Sequence, residues 1–223
     1  MSNLLIVESK NDELFINRLL QELNLSTLIE VGTPICHIDE YECLDGLSEK
    51  KLMRKLNDVV VEIEKRGIKK IGILVDADEE GVEEKINFIN NSIKNIDNTV
   101  SFKNVNQWID SRDLDVKISC HILNIDGTGE LETLLRKIKS DDSSFADCLL
   151  SWRQCLSDHN HTITDKEFDK FWVAIYQRYD ACTKREKRQA GRKCNFEASL
   201  QKDIWDFSSY QLDSLKEFLL SFR

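Results

Sequence analysis

The sequence predicts an α/β fold, a mostly parallel sheet flanked by helices, followed by a helical C-terminal part. Two observations carry this expectation. Up to about residue 140, short apolar runs alternate with stretches of helical periodicity, the pattern of parallel βαβ units with helices on both faces of a sheet. Beyond Asp141 the helical spacing continues and no convincing strand remains. The expected organisation is therefore an α/β domain over residues 1–140 and a helical region over 141–223 packed on it. With 223 residues, the chain can bury one sizeable core, or one core plus a smaller appendage.

The elements follow in chain order. Asn3 to Val7 reads as a buried strand that runs straight into Glu8. "ELFINRLLQEL" has apolar residues at 15, 16, 19, 20 and 23, a helical stripe with Ser9 or Asn11 available as its cap. "STLIEVG" is a short second strand, and residues 34–47, "PICHIDEYECLDGL", show no period and read as a loop insertion. "SEKKLMRKLNDVVVEIEKRG" is a helix stopped by Gly67. "IKKIGILVDADEEG" is an apolar strand ending in closely spaced acids, and "VEEKINFINNSIKNI" resumes helical spacing. "VKISCHILNIDGTGELETLLRKIK" is a strand, a Gly-containing turn and a helix. Residues 144–157, 165–181, 183–193 and 208–222 all read as helices.

Composition narrows the class. Hydrophobic residues make up 41% and charged residues 32%, globular values without a low-complexity tract. The single proline, Pro34, and eight glycines argue against long flexible linkers. No apolar run approaches the roughly 20 residues that span a bilayer. "MSNLLIV" lacks the basic region and long apolar core of a signal peptide, so a cytoplasmic location is expected. The seven cysteines (Cys36, Cys43, Cys120, Cys148, Cys155, Cys182 and Cys194) form no CxxC pair, and their number is odd. Reduced thiols are the simplest expectation. "CLLSWRQCLSDHNH" gathers Cys148, Cys155, His159 and His161, but the spacing is not that of a zinc knuckle. It reads as two cysteines on one helix face followed by a polar loop.

Charge is unevenly spread. The net value is −9, yet residues 170–202 carry nine basic against three acidic side chains, a local balance of +6. A protein that binds nucleic acid with its whole surface should be basic, and this one is not. A polyanion would have to be met locally, by that segment or through bound cations.

Ligands of open parallel sheets bind beyond the carboxyl ends of the strands. Three acidic elements fall at such ends: Glu8 with Asp12, Asp76 with Asp78, and Asp126 with Glu130 and Glu132. Clustered carboxylates resist ionisation beside one another. A divalent cation removes the conflict, and Mg²⁺ prefers hard oxygen ligands. Ordinary readings exist for each member. Asp12 suits the first turn of a helix, whose dipole it complements. Asp78 and Glu79 could cap a helix, Glu132 could be an exposed helical acid, and Glu80, Glu83 and Glu84 read as a solvated face. Glu8 and Asp76 are harder to dismiss, because both end strands that must be buried.

A strand ending in Glu, then a later strand ending in Asp-x-Asp, resembles the signature of the TOPRIM domain of topoisomerases, bacterial primases, recombination-repair proteins and OLD-family nucleases. The first motif is "LLIVESKND" and the second "IGILVDADEEG"; the Glu8-xxx-Asp12 spacing is similar to the OLD-type form. Over most of its length the chain also resembles a family of uncharacterised TOPRIM-like prokaryotic proteins. The Gly-x-LE core of that family is matched by "GELETLL", and its basic, aromatic-Asp-Phe and amphipathic closing segments by "KRQAGRKCNFEASLQKDIWDFSSYQLDSLKEFL". The likeness is strong at the two acidic motifs and weaker in residues 34–47 and 141–182. It implies a Rossmann-like core in which Asp76 and Asp78 ligate Mg²⁺, or Mn²⁺ in its place. Glu8 would be a ligand or the general acid/base, with Asp12 and Glu132 completing a second metal position. Asp126, which precedes the Gly-x-LE segment, could join the metal or cap the turn.

The implied activity is metal-dependent phosphoryl transfer, as in a nuclease that cleaves DNA or RNA. Its hold on the polyanion is expected in "TKREKRQAGRKC". On one helix Lys184, Arg188 and Arg192 would share a face, with Arg185 leaning toward it and Lys187 and Lys193 close by. A solvated helix face is the ordinary alternative for this stripe. Trp205 and Phe207 read as core anchors. Two rival functions remain open: a receiver-like Mg²⁺ signalling domain, against which the Asp-x-Asp pattern argues, and a non-catalytic TOPRIM-like module that binds nucleic acid or a protein. A protein partner or a second copy of the chain is compatible with either.

Overall fold

The computed structural model describes residues 2–36 and 47–223. Strands β1 (Ser2–Val7), β2 (Ile29–Val31), β3 (Ile68–Asp76), β4 (Ile109–Ser111) and β5 (Val116–Leu123) form one sheet in the order β2-β1-β3-β5-β4. All pairings are parallel except β4 on β5. The mixed α/β architecture, with a helical C-terminal part, is the expected one. β4 is an addition, too short and too polar ("IDS") to announce itself. The expected loop insertion over 34–47 lies, apart from Pro34 to Cys36 and Leu47, outside the described residues.

The central strands bury both faces, which is why they read as continuous apolar runs. Leu5, Val7 and Leu74 join one hydrophobic cluster, and Leu4, Ile6, Ile71, Ile73 and Val75 join the other. Helices α2 (Glu49–Arg66) and α3 (Val82–Ile93) cover the second face. Gly67 ends α2 in the left-handed conformation, φ 62°, that a stop of this kind requires.

The first face is covered by α1 (Lys10–Glu22), α4 (Leu131–Lys137), α6 (Asp165–Ile175) and α10 (Asp213–Leu220). The helical region therefore shares its core with α1 and α4 instead of building its own. Its remaining elements are α5 (Ser144–Asp158), a π-helical turn (Tyr176–Asp180) continuing α6, three one-turn helices, α7 (Lys184–Lys187), α8 (Ala190–Lys193) and α9 (Phe196–Ser199), and a 3-10 turn (Tyr210–Leu212) that leads into α10. Trp205 is buried, and Phe207 packs on Phe15 with ring centroids 5.8 Å apart, so both are core anchors as expected.

Gly72 is where the last helix meets the sheet. A Cβ at this position would stand 2.6 Å from the Phe222 ring and 2.9 Å from that of Phe218. Gly72→Ala is expected to lower the melting temperature by about 3–8 °C, the effect of roughly 1–3 kcal/mol of overpacking in a chain of this size. A thermal melt of the variant checks this.

The expectation of reduced thiols needs correction at one place, because Cys182 and Cys194 are joined as a disulfide. Cys120 is a buried thiol on β5, and its pKa is pushed up to about 12 by burial. Cys148 and Cys155 are exposed two turns apart on α5, and His159 and His161 are exposed beyond its end, the helix face and polar loop that were expected. Among the described residues no helix is long and apolar enough to cross a membrane.

Candidate metal centre

Parallel pairing of β1, β3 and β5 brings their carboxyl ends to one edge of the sheet. Glu8 follows the last residue of β1, Asp76 is the last residue of β3, and the chain leaving β5 returns through Glu130 and Glu132 at the start of α4. The register sets Asp76 beside Leu123, so the ends of β3 and β5 are level.

Local chemistry places each remaining acid. Ser9 caps α1: its hydroxyl accepts from the Asp12 N–H at 3.2 Å, and the Asp12 carboxylate accepts from the Ser9 N–H at 2.8 Å. Asp12 is thus a capping-box acid, yet it is also buried among the other carboxyls. Asp78 does not cap a helix, since the cap of α3 is Gly81. It adopts φ 50° and exchanges two backbone hydrogen bonds with Gly129, at 2.9 and 2.8 Å, which tie the turn after β3 to the turn after β5. In that second turn Asp126 (φ 55°) and Gly127 (φ 101°) lie between the paired residues Ile125 and Thr128, the pattern of a type I′ turn. Asp126 is exposed there and belongs to the turn, not to the acidic group.

The electrostatics of this edge are those of crowded carboxylates. Burial, then repulsion from Asp12, Glu8, Glu132 and Asp78, holds the Asp76 carboxyl well above the usual carboxylate range. Glu8 is pushed up to about 7 by burial and by Asp12 and Asp78. Glu130 is likewise pushed up to about 7, by burial and by Glu132. Asp12 and Glu132 are raised as well, burial being the largest cause for each. Three separate segments contribute these groups, so the juxtaposition is a product of the fold.

Three lysines unforeseen in the sequence answer the charge. Lys166, near the start of α6, donates to Asp78 at 2.6 Å and reaches Glu130 at 3.1 Å. Lys85 on α3 donates to the other Asp78 oxygen at 2.7 Å, and Lys170, one turn beyond Lys166, lies 3.8 Å from Glu130. Burial pushes the Asp78 carboxyl up, but the bonds from Lys166 and Lys85 outweigh it and hold the group below its ordinary value. Among the described residues no three His, Cys, Asp or Glu side chains are placed so as to hold a metal ion as they stand. Asp78 faces its lysines, and Asp12 faces the Ser9 amide.

The donor set nonetheless fits a hard divalent cation. It is all carboxylate, and the Oε1 atom of Glu130 is buried without a hydrogen-bond partner. Lys166→Met would remove a positive charge from the edge and is expected to tighten Mg²⁺ binding by about 3- to 10-fold, the scale of a partly screened charge pair. Isothermal titration of wild type and variant measures this, and weaker binding in the variant would count against Mg²⁺ and lysine sharing the site.

The profile of a family described as "Protein of unknown function (DUF3226)" matches residues 2–223. The chain belongs to this family. The match takes in the acidic edge and the helical region alike, including Lys166 and Lys170. No curated protein and no solved structure matches the chain.

The basic segment departs from expectation. Residues 183–193 form two one-turn helices, α7 and α8, in place of one continuous helix. The cause is geometric: the Cys182 and Cys194 Cα atoms are 6.0 Å apart, whereas a helix over the same span would separate them by about 18 Å. Lys184, Arg185, Arg188, Arg192 and Lys193 are exposed and Lys187 is half-buried, but they decorate a folded-back loop, not a stripe.

Proposed function

We propose that this protein is a metal-dependent phosphoryl-transfer enzyme, a nuclease cleaving phosphodiester bonds in DNA or RNA. The supporting observation is the convergence of Glu8, Asp76, Asp78, Glu130 and Glu132 at the carboxyl ends of three adjacent parallel strands, with Asp12 buried beside them. The resemblance to TOPRIM domains supports the same reading. Glu8, Asp76, Asp78 and Glu132 would hold the ion, with Asp12 close by. When bound, Mg²⁺, or Mn²⁺ in its place, lowers the pKa of water and offsets the negative charge that builds up on phosphorus.

The residues of the chain supply the rest. Where Glu8 serves as the general acid/base instead of a ligand, its burial beside Asp12 and Asp78, which holds its carboxyl above the ordinary range, suits it to accept a proton near neutrality and return it. Lys166 and Lys85 hold Asp78 in a fixed orientation and offer positive charge near the place a phosphate would occupy. A cytoplasmic location belongs to this reading, and there the Cys182–Cys194 pair would meet a reducing thiol pool.

Purified protein should cleave single-stranded DNA, duplex DNA or RNA in Mg²⁺ or Mn²⁺, and lose that activity in EDTA and in Glu8→Gln. Equal background from wild type and variant would leave a non-catalytic binding module as the better reading.

A further inference from the structure

Four large aromatic side chains lie on the surface of the helical region. Phe145, Trp152, Phe171 and Tyr179 are 58%, 39%, 51% and 43% exposed. They share one face. Phe145 and Trp152 are two turns apart on α5. Phe171 lies on α6, and Tyr179 on the π-helical turn that continues it, whose wider winding returns position 179 over position 171. The antiparallel packing of these segments joins Phe145 to Tyr179, ring centroids 6.0 Å apart, and Trp152 to Phe171, 5.9 Å apart and edge to face. Along α5 the two pairs are about 10 Å apart, room for about three stacked bases.

One cation lies over the first of these pairs. The Lys187 Nζ lies 5.9 Å from the Phe145 ring and 5.3 Å from that of Tyr179. Past it, α7 and α8 display the basic loop, within the segment that carries the balance of +6. At the other end α6 leads to Lys170 and Lys166, which touch Glu130 at the acidic edge. Rings beside positive charge are the combination that takes unpaired bases by their faces and the backbone by its phosphates. Exposed aromatic side chains gathered on one face, unlike apolar residues scattered singly, mark an interaction site.

We infer that this face binds a single nucleic-acid strand. Its bases stack on the Phe145–Tyr179 and Trp152–Phe171 pairs, and its phosphates meet Lys187 and the basic loop. The strand then passes along α6 toward the acidic edge. The inference rests on the phosphodiester-cleaving reading and names its substrate class: a single strand, whose base faces are open, and not a duplex.

The test is fluorescence anisotropy with labelled oligothymidylate, oligouridylate and a matched DNA duplex, in EDTA so that no cleavage occurs. The single strands are expected to bind at least about 10-fold more tightly than the duplex, and the two sugars show whether DNA or RNA is preferred. Trp152→Leu and Phe145→Leu should each weaken binding about 5- to 100-fold without changing its salt dependence. Lys187→Gln with Arg188→Gln should lower the salt slope, by about 0.7 for each phosphate no longer neutralised. Thermal melts confirm that the exposed positions tolerate the changes, and quenching of tryptophan emission by bound oligothymidylate in the unaltered protein that is lost in Trp152→Leu reports the stacking.

Equal affinity for duplex, unaltered binding by the Leu variants, or no binding of any nucleic acid would overturn the inference. So would sedimentation showing that the face joins two copies of the chain. Duplex cleavage untouched by the Leu variants would remove this face while leaving the nuclease reading intact. Single-strand binding by a protein that never cleaves would do the reverse.

Discussion

Asp76→Asn is expected to lower metal-dependent cleavage by about 10³-fold or more and, in the same protein, to raise the melting temperature of the metal-free form. The first effect follows from removing an anionic ligand at the centre of the group, where a bound cation contributes several kcal/mol to the transition state and each 1.36 kcal/mol is tenfold in rate. The second follows from the surroundings. Asp76 is held well above its usual pKa by burial and by Asp12, Glu8, Glu132 and Asp78. At pH 8 the folded protein must either keep a proton that solution would remove or tolerate another negative charge among four like neighbours. Asparagine has almost the same shape and no charge, so the cost disappears and the variant should melt a few degrees higher in EDTA. Added Mg²⁺ should reverse the order, stabilising wild type and leaving the variant almost unmoved. Cleavage assays and thermal melts with and without metal read all three effects. A variant that melts lower in EDTA would mean that Asp76 serves the packing of the edge and not a cation.

The acidic edge was legible in the sequence because two independent patterns coincide there. The apolar runs before Glu8 and Asp76 mark buried strands, and strands of that kind separated by helices are parallel, so their ends must meet. What escaped was supplied by tertiary packing. Lys166 and Lys170 are read from sequence as two cations on a helix beyond the α/β core, and nothing local says that α6 docks its first turns against the turn after β5. Lys85 reads as one more charge on a solvated helix. Glu130 stands in the acidic group without a role, and only its burial next to Lys166 gives it one. The basic segment misleads for a related reason: helical spacing is satisfied at 184, 188 and 192, but Cys182 and Cys194 close the chain on itself. Periodicity reports what a segment can form alone, and a link across it decides otherwise. Asp12 answers to both readings, since one carboxylate closes the cap of α1 and crowds the acids beside it.

Between pH 5 and pH 8 the metal-free protein is expected to lose stability, and Mg²⁺ to restore it most at the alkaline end. Glu8 and Glu130 are each pushed up to about 7 from an ordinary value of 4.5. In the unfolded chain both have released their protons by pH 6, whereas the folded protein retains them, so over this window the native state binds more protons. Its stability is then full below the unfolded pKa and falls as pH rises through 7. From its shift alone each group costs the native state about 3 kcal/mol by pH 8, less once Lys166 and Lys170 are allowed to offset the charge. One group runs against this trend: burial pushes His121 down to about 4, so below about pH 6.5 the unfolded chain takes up a proton that the folded protein does not, which offsets part of the loss between pH 5 and 6.5 and leaves the fall steepest near pH 7. The lowered carboxylates add little. Burial pushes Asp97 up, but bonds from Ser111 and Thr99 hold it at about 2, and backbone and Lys202 bonds hold Glu186 at about 2, so both are ionised throughout. Mg²⁺ binds the ionised carboxylates, hence competes with protons at pH 5 and meets little competition at pH 8. Thermal melts in EDTA and in Mg²⁺ at unit steps of pH measure both trends. A melting temperature that stays flat in EDTA, or a Mg²⁺ effect larger at pH 5 than at pH 8, would show that the carboxyls at this edge do not share one cation.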